Sequence, residues 1–540
     1  MASSNERVAD VLARALARET RFAFGVPGGE VLTMVDALHA AGVRFVLCRH
    51  ETSGGFMAEG IQRTSGDLGL LVATLGPGVA NAVNVASHAQ QSRRPLIVLT
   101  GCASVSDRGT YTHQIYDHQA LLRPLVKGAF EVGAQNVADV IARSIDLAKG
   151  GVPGAVHVEL PVDVADLSAT SQDVAMSHRE PASVQSLTGL AHPSPAAEAL
   201  AKAQRPIALA GLELLLGEGA EVFRQRMEAL GWPVLTSYEG KGIVDEHRLP
   251  SVAAVGLSER VDSVALELLH EADAVLLAGF DPIEVRHRWR HAFQDHQAVI
   301  EVTREAGQHA MYGADHRIVG EPGAILRSLL GDLTPPSEWG DAPARARQEV
   351  QRRLTPETGW GPATLLRALE DGTPDDAIVT VDTGAHRILL CEQWRFSSPR
   401  RLYQSNGSCT MACAVPLAIG AKLAAPDTSV LAVVGDGGLE MALGELGTAR
   451  DEGLPVVIAV VDDRSLALIE KKQRARGFVN VGVDFGPEAA EGTDYAAIAR
   501  AFGGRGVRVQ SAAEVKAALA EAFAADTFTL LHCPVPRRSY

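Results

Sequence analysis

The chain has 540 residues, which at roughly 150 residues per domain predicts three or four domains and excludes a single small binding module. Hydrophobic residues make up 46% and charged residues 21%, so sizeable cores can form and disorder is excluded as the main state. With 50 Lys and Arg against 65 Asp and Glu the net charge is −15, and aromatics are only 5%, a balance that repels phosphate backbones and offers few stacking platforms; no nucleic-acid partner is expected.

The first 20 residues read as an amphipathic helix with charges throughout and no apolar signal core, so secretion is not expected. Strand-like runs at 21–26, 43–48, 68–76, 95–101 and 155–161 alternate with helical patterns, the signature of a parallel α/β domain over residues 1–165. Residues 166–193, rich in Ser, Thr and Pro, read as a linker. Strands recur at 206–210, 233–236, 274–279, 298–302 and 316–319, giving a Rossmann-like middle domain over 190–332. A second polar, Pro-containing connector is expected at 333–361, and strands at 377–381, 429–434, 456–461 and 527–532 place a third domain over 358–540. The predicted fold class is therefore α/β, with three doubly wound parallel-sheet domains. The uncharged stretches 68–92 and 402–421 are broken by Gly, Pro, Asn and Ser, so no membrane span is expected. Six scattered cysteines, with one CxxxC pair and no second ligand pair, argue against zinc and point to a reducing, cytoplasmic compartment.

The third domain holds the chemistry. The segment VLAVVGDGGLEMALGELGTARDEGLPVVIAVVDDRS reads as a buried strand, a glycine turn, a helix and a second buried strand ending in carboxylates, which puts Asp436 and Asp463 at two strand tips 27 residues apart. Ligands of open α/β sheets bind at that edge, where glycines admit a close approach and helix N-termini present free N–H groups. Two aspartates there repel a phosphate unless a hard divalent cation intervenes, and Mg²⁺ is held by one or two carboxylates plus phosphate oxygens.

GDGGLEM followed by VVDDRS resembles the cofactor motif of the thiamine diphosphate-dependent enzyme superfamily. The resemblance implies that Asp436, Asp463 and the Ser465 carbonyl hold Mg²⁺, with Gly437 and Gly438 against the diphosphate. VLCRHETSGGFMAEG resembles the segment supplying the glutamate that hydrogen-bonds the aminopyrimidine, which makes Glu51 the proton relay. LLVATLGPGVANAVNVASHA resembles the glycine turn beside the pyrimidine, at Gly76, and GVPGGEV adds Gly28 and Gly29. GSCTMACAVPLAIGAK is similar to the segment whose bulky residue, here Met411, props the cofactor in its bent form while the Cys409 carbonyl accepts from the exocyclic nitrogen; TVDTGAHR implicates Gly384, Ala385 and His386 at the diphosphate.

The order of these pieces, with a full domain between them, resembles the acetolactate synthases, and Asp at the second metal position resembles their catabolic type. THQIYDHQALLRPLVK, LLAGFDPIEV and VGVDFGPE extend that likeness along nearly the whole chain. Gln114 falls where a synthase glutamine faces the reacting carbonyl, and His113-Gln114 replaces the paired histidines of the decarboxylases, so carboligation is favoured. The implied activity is decarboxylation of a small-molecule 2-oxo acid, pyruvate first, with carboligation to a second carbonyl: a transferase or lyase of acetolactate synthase type. The alternative is a non-oxidative 2-oxo acid decarboxylase or aldehyde lyase of the same superfamily. Leu468 and Ile469 take the apolar substrate-facing positions, whereas Lys472 stands where anabolic relatives have a tryptophan and Glu30 where catabolic ones have a lysine. GLELLLGEG in the middle domain lacks the close glycine spacing of a dinucleotide turn, so FAD is not expected. The resemblance also implies a homodimer or homotetramer with each active site between subunits.

Overall fold

The computed structural model describes residues 6–169, 194–307, 309, 311–331, 333–334, 338–355, 359–486 and 492–540, so most of the expected linker at 166–193 and the end of VGVDFGPE lie outside the described residues. The fold is α/β, built on three six-stranded, fully parallel sheets. The first contains β1 (Phe22–Val26), β2 (Arg44–Leu47), β3 (Gly69–Ala73), β4 (Leu96–Cys102), β5 (Ala129–Glu131) and β6 (Ala155–Pro161), in the order β2-β1-β3-β4-β6-β5. The second contains β7 (Pro206–Ala210), β8 (Val234–Ser237), β9 (Ser251–Val255), β10 (Ala274–Ala278), β11 (Ala298–Thr303) and β12 (His316–Val319), ordered β12-β11-β10-β7-β8-β9. The third contains β13 (Ile378–Val381), β14 (Leu402–Gln404), β15 (Val430–Gly435), β16 (Val457–Asp462), β17 (Arg505–Arg508) and β18 (Thr529–Pro534), ordered β14-β13-β15-β16-β18-β17 and so repeating the topology of the first.

The inner strands are buried on both faces, as an unbroken run such as LLVA or VIAVV requires when helices cover a parallel sheet on each side. The four strands absent from the sequence reading, β5, β9, β14 and β17, are all edge strands. Two are only three residues long, and the RGVR of β17 holds one valine between two arginines, so these three lack the apolar run that marks an inner strand, whereas β9 (SVAAV) has one.

The connector expected at 333–361 contains a helix, Ala342–Leu354, in place of irregular chain. Its composition is dominated by Arg, Gln and Glu, which masks a narrow apolar stripe; Val350 and Leu354 dock it on the middle domain beside Val261 and Leu268.

The first and third sheets share one hydrophobic core through two crossing helices, Glu51–Ser65 and Ala414–Ala424. Backbones touch there: a Cβ added to Gly420 would lie 2.0 Å from the Met57 carbonyl oxygen, and one on Gly60 2.4 Å from that of Leu417. Where all three units meet, a buried charge network closes the junction. Glu59 pairs with His88 at 2.7 Å and Arg63 at 3.3 Å, while Glu239, just past β8, accepts from Arg63 at 2.8 Å and Arg94 at 3.2 Å. Arg63 also stacks over Tyr403 of β14 at 4.5 Å and donates to the Leu402 carbonyl. Burial alone would raise the Glu59 pKa, yet His88, Arg63 and Arg94 hold it at about 2.

Candidate active site

In the third sheet the strand order reverses between β13 and β15, and a cleft of about 570 Å³ opens at that switch point. Asp436 starts the short helix Asp436–Met441 directly after β15, and Asp463 follows the last residue of β16. Both are buried and line the cleft with Ser465. One oxygen of each is engaged by local backbone: Gly437 N donates to Asp436 Oδ1 at 2.7 Å, and Ser465 N donates to Asp463 Oδ1 at 3.0 Å. Asp436 Oδ2 is buried without a hydrogen-bond partner. Burial and then the Asp463 carboxylate push Asp436 up to about 8, and burial with Asp462 nearby pushes Asp463 up to about 6. Two carboxylates crowded out of water and one orphaned oxygen form a donor set suited to a hard divalent cation.

The walls suit a diphosphate. Gly384, Ala385 and His386 come from the turn after β13, and Gly437 and Gly438 from that after β15. A Cβ on Gly438 would meet Asp382 Oδ2 at 2.6 Å, and one on Gly437 the Phe485 ring at 2.9 Å, so a larger residue at either position would have to push these side chains aside. His386 is buried with Nε2 unpartnered; burial and neighbouring Arg387 hold its imidazole neutral, with a pKa of about 3. Met411, Leu468 and Ile469 complete the apolar side. Cys409 lies behind Met411 at a positive φ of 49°, its Sγ 3.3 Å from Arg387 Nη2, and does not line the cleft.

The remaining predicted residues gather elsewhere, at the carboxyl edge of the first sheet. Glu51 is buried at the first position of its helix, and Asn81 Nδ2 donates to its Oε2 at 2.9 Å, leaving Oε1 facing Gly78. Gly76 touches Gln114 so closely that a Cβ would lie 2.9 Å from Gln114 Cβ, and Tyr116 donates to the Gly76 carbonyl at 2.6 Å. Gln114 adopts a positive φ of 59° in an exposed loop that also carries His113. Gly28 approaches Thr74, whose hydroxyl donates to Glu30 Oε2 at 2.7 Å, while Gly29 stands open. One chain thus presents two half-sites: the cleft with Asp436, Asp463, Ser465 and Met411, and the edge with Glu51, Gly76 and Gln114; none of the latter lines the cleft.

Sequence reasoning missed Thr383, Leu466 and Tyr540, which also line the cleft. The first two adjoin predicted residues and were within reach of the same motifs. Tyr540 had no signal; it is brought there by Arg537, whose guanidinium donates to the carbonyls of Arg464, Phe485 and Gly486.

The chain matches the thiamine pyrophosphate enzyme N-terminal TPP binding domain over residues 6–121, the central domain over 194–329 and the C-terminal TPP binding domain over 382–533. It belongs to the thiamine pyrophosphate-dependent enzymes, and is an enzyme of the transferase or lyase type. Within that class it is acetolactate synthase-like. It is 28% identical to a probable acetolactate synthase large subunit of Methanococcus aeolicus, covering 97% of this chain and 91% of that one. It is likewise 28% identical to a catabolic acetolactate synthase of Raoultella terrigena, over 97% and 93%, and 27% to the isozyme 3 large subunit of Escherichia coli (strain K12), over 92% and 89%. Among the described residues no helix is long and apolar enough to cross a membrane.

Proposed function

We propose that the chain catalyses Mg²⁺- and thiamine diphosphate-dependent decarboxylation of a 2-oxo acid, pyruvate foremost, with carboligation of the remaining fragment to a second carbonyl. The observation that carries this reading is the cleft at β13, β15 and β16, where two buried, mutually repelling aspartates face a floor of Gly437 and Gly438 closely packed against Phe485 and Asp382. Asp436, Asp463 and Ser465 would hold the metal, while Gly384, Ala385, His386, Gly437 and Gly438 would receive the diphosphate. Thiamine diphosphate, when bound, supplies an electron sink for the carbanion left by loss of CO₂.

The chain's own residues do the rest. Glu51 holds and moves a proton at its carboxylate, with Asn81 fixing Oε2 so that the second oxygen keeps one direction. Neutral His386 adds no charge to the metal site and can donate from either ring nitrogen. Met411 would support the cofactor from the apolar side of the cleft, and Leu468 and Ile469 would give the reacting fragment an apolar wall. Gln114 and His113 sit on an exposed loop, Gln114 against Gly76, and would face a second carbonyl from there.

The separation of the two half-sites supports an assembly in which the Glu51 edge of one subunit faces the Asp436 cleft of another, a homodimer or homotetramer working in the cytoplasm. In the middle unit the first turn is already filled. Glu284 accepts from Leu212 N at 3.1 Å, and the cleft at that sheet's carboxyl edge sets Glu213, Asp281, Glu301 and Glu305 against Arg93, itself paired with Asp281 at 2.9 Å, an acidic balance that disfavours a pyrophosphate and supports a reading without FAD. Incubation of the holoenzyme with pyruvate tests the function: acetolactate is the expected product, and acetaldehyde as sole product would replace carboligation by simple decarboxylation.

A further inference from the structure

Beside the cofactor cleft lies a wider cavity of about 1160 Å³, and the two share Ala385, Leu468 and Tyr540. Its floor is apolar, formed by Leu257 in the loop after β9, Ile388 and Leu389 on the helix Ala385–Gln393, and Leu468. Its mouth carries four cations: Arg260 on the helix Glu259–His270, Arg288 in the turn His287–Trp289, and Lys471 and Lys472 on the helix Ala467–Ala475. Arg288 pairs with exposed Glu259 at 3.0 Å, but Arg260, Lys471 and Lys472 form no ion pair among the described residues. The other carboxyl side chain on the cavity is Glu392, which Arg260 and Lys471 both face but which burial pushes up to about 7, so it offsets the cations only partly near neutral pH. Lys471 lies near enough to Arg260 for like charges to act on each other: burial, and after it Arg260, lowers its pKa. In a chain of net charge −15, such cations have carboxylates in excess to choose from, yet they converge unpaired around a cavity.

We propose that this cavity is an anion subsite continuous with the reaction cleft, and that one substrate carries, beyond its reacting carbonyl, a second anionic group, carboxylate or phosphate, held by Arg260, Lys471 and Lys472. The inference rests on the function proposed above and narrows its second substrate. The carbonyl end lies toward Leu468, which faces both cavities; the carbon chain crosses the apolar floor; the far anion meets the cations at the mouth. Arg260 belongs to the middle unit and the lysines to the third, so specificity is set across their junction. An uncharged end leaves three like charges unneutralised.

Matched pairs test this on the holoenzyme. 2-Oxoglutarate and 2-oxopentanoate share a five-carbon chain and differ only in a terminal carboxylate or methyl; glyceraldehyde 3-phosphate and glyceraldehyde differ only in the phosphate. Binding is read by isothermal titration, and acceptor use as kcat/KM with pyruvate as donor. The anionic member of one pair should be preferred roughly tenfold at low ionic strength, the preference shrinking as salt rises. Whichever pair shows it separates carboxylate from phosphate. In the R260Q/K472Q variant the preference should fall to about twofold or less. If acetolactate forms but both pairs are used evenly, or the variant keeps the preference, the subsite is overturned and the reaction stands. If no acetolactate forms, yet titration shows the preference and its loss in the variant, the reaction fails and the subsite stands.

Discussion

The crossing of the helices Glu51–Ser65 and Ala414–Ala424 makes Gly420→Ala a sharp test of how the first and third units are joined. In a free helix the change stabilises by about 1 kcal/mol, because alanine loses less backbone freedom than glycine on folding. Here the new Cβ would lie 2.0 Å from the Met57 carbonyl oxygen, 2.8 Å from its carbon and 3.0 Å from its Cα. All three are backbone atoms of a packed helix, so no rotamer change relieves them, and the helices must part along a shared core. Overpacking of this kind costs typically 1–3 kcal/mol and occasionally more. With three fixed atoms in the way the cost belongs at the top of that range, leaving G420A less stable by about 2 kcal/mol. Urea unfolding followed by far-UV circular dichroism should show a lowered midpoint at unchanged slope. Gly361→Ala is the control, since its backbone is extended and nothing lies within 4 Å of the added carbon; it should move the midpoint by less than about 0.5 kcal/mol. A G420A midpoint at or above that of the parent would refute the close crossing.

Three further outcomes are expected. Glu51→Gln should lower turnover at least ~10²-fold if that carboxyl relays a proton, and mixing E51Q with Asp436→Asn chains should restore activity that neither homo-oligomer has; failure to complement would place both half-sites in one chain. Mg²⁺ and thiamine diphosphate at about 100 times their dissociation constant should stabilise the protein by ~2.7 kcal/mol, an increment that chelation removes and that D436N lacks in a thermal shift assay. Glu284 provides the pH test. Burial raises its folded-state pKa from 4.5 to about 8, so its cost is absent below pH 4.5, grows as pH rises and levels off above 8. Glu284→Gln should therefore match the parent at pH 4.5 and exceed it in urea midpoint at pH 8.5; a gain equal at both would show that the carboxyl titrates normally.

The sequence signalled those parts whose physics is local. An inner strand must be apolar along its whole length, so β3, β4, β15 and β16 announced themselves, and the strand, glycine turn and terminal carboxylate around Asp436 and Asp463 followed in register. What stayed hidden depends on distant partners. β5 and β17 owe their state to one neighbour each, and Ala342–Leu354 holds its helix through a few contacts on Val261 and Leu268 that its charged composition conceals. Tyr540 reaches the cleft on a tail that Arg537 ties to three carbonyls far off in sequence.

The junction of Glu59, Arg63, Arg94 and Glu239 bears on how the protein is made. Both arginines leave the ribosome with the first unit, but Glu239 follows in the second and the Tyr403 ring only in the third. At roughly 5–20 residues per second, the ~300 residues from Arg94 to Tyr403 take between about 15 seconds and a minute to synthesise. Until Glu239 emerges the nascent first unit holds two guanidinium groups against one carboxylate, and until Tyr403 follows the Arg63 face lacks its ring. The face is complete only when all three units are in place, and excising the middle unit would leave both arginines with Glu59 as their one carboxylate, stranding a positive charge in the interior.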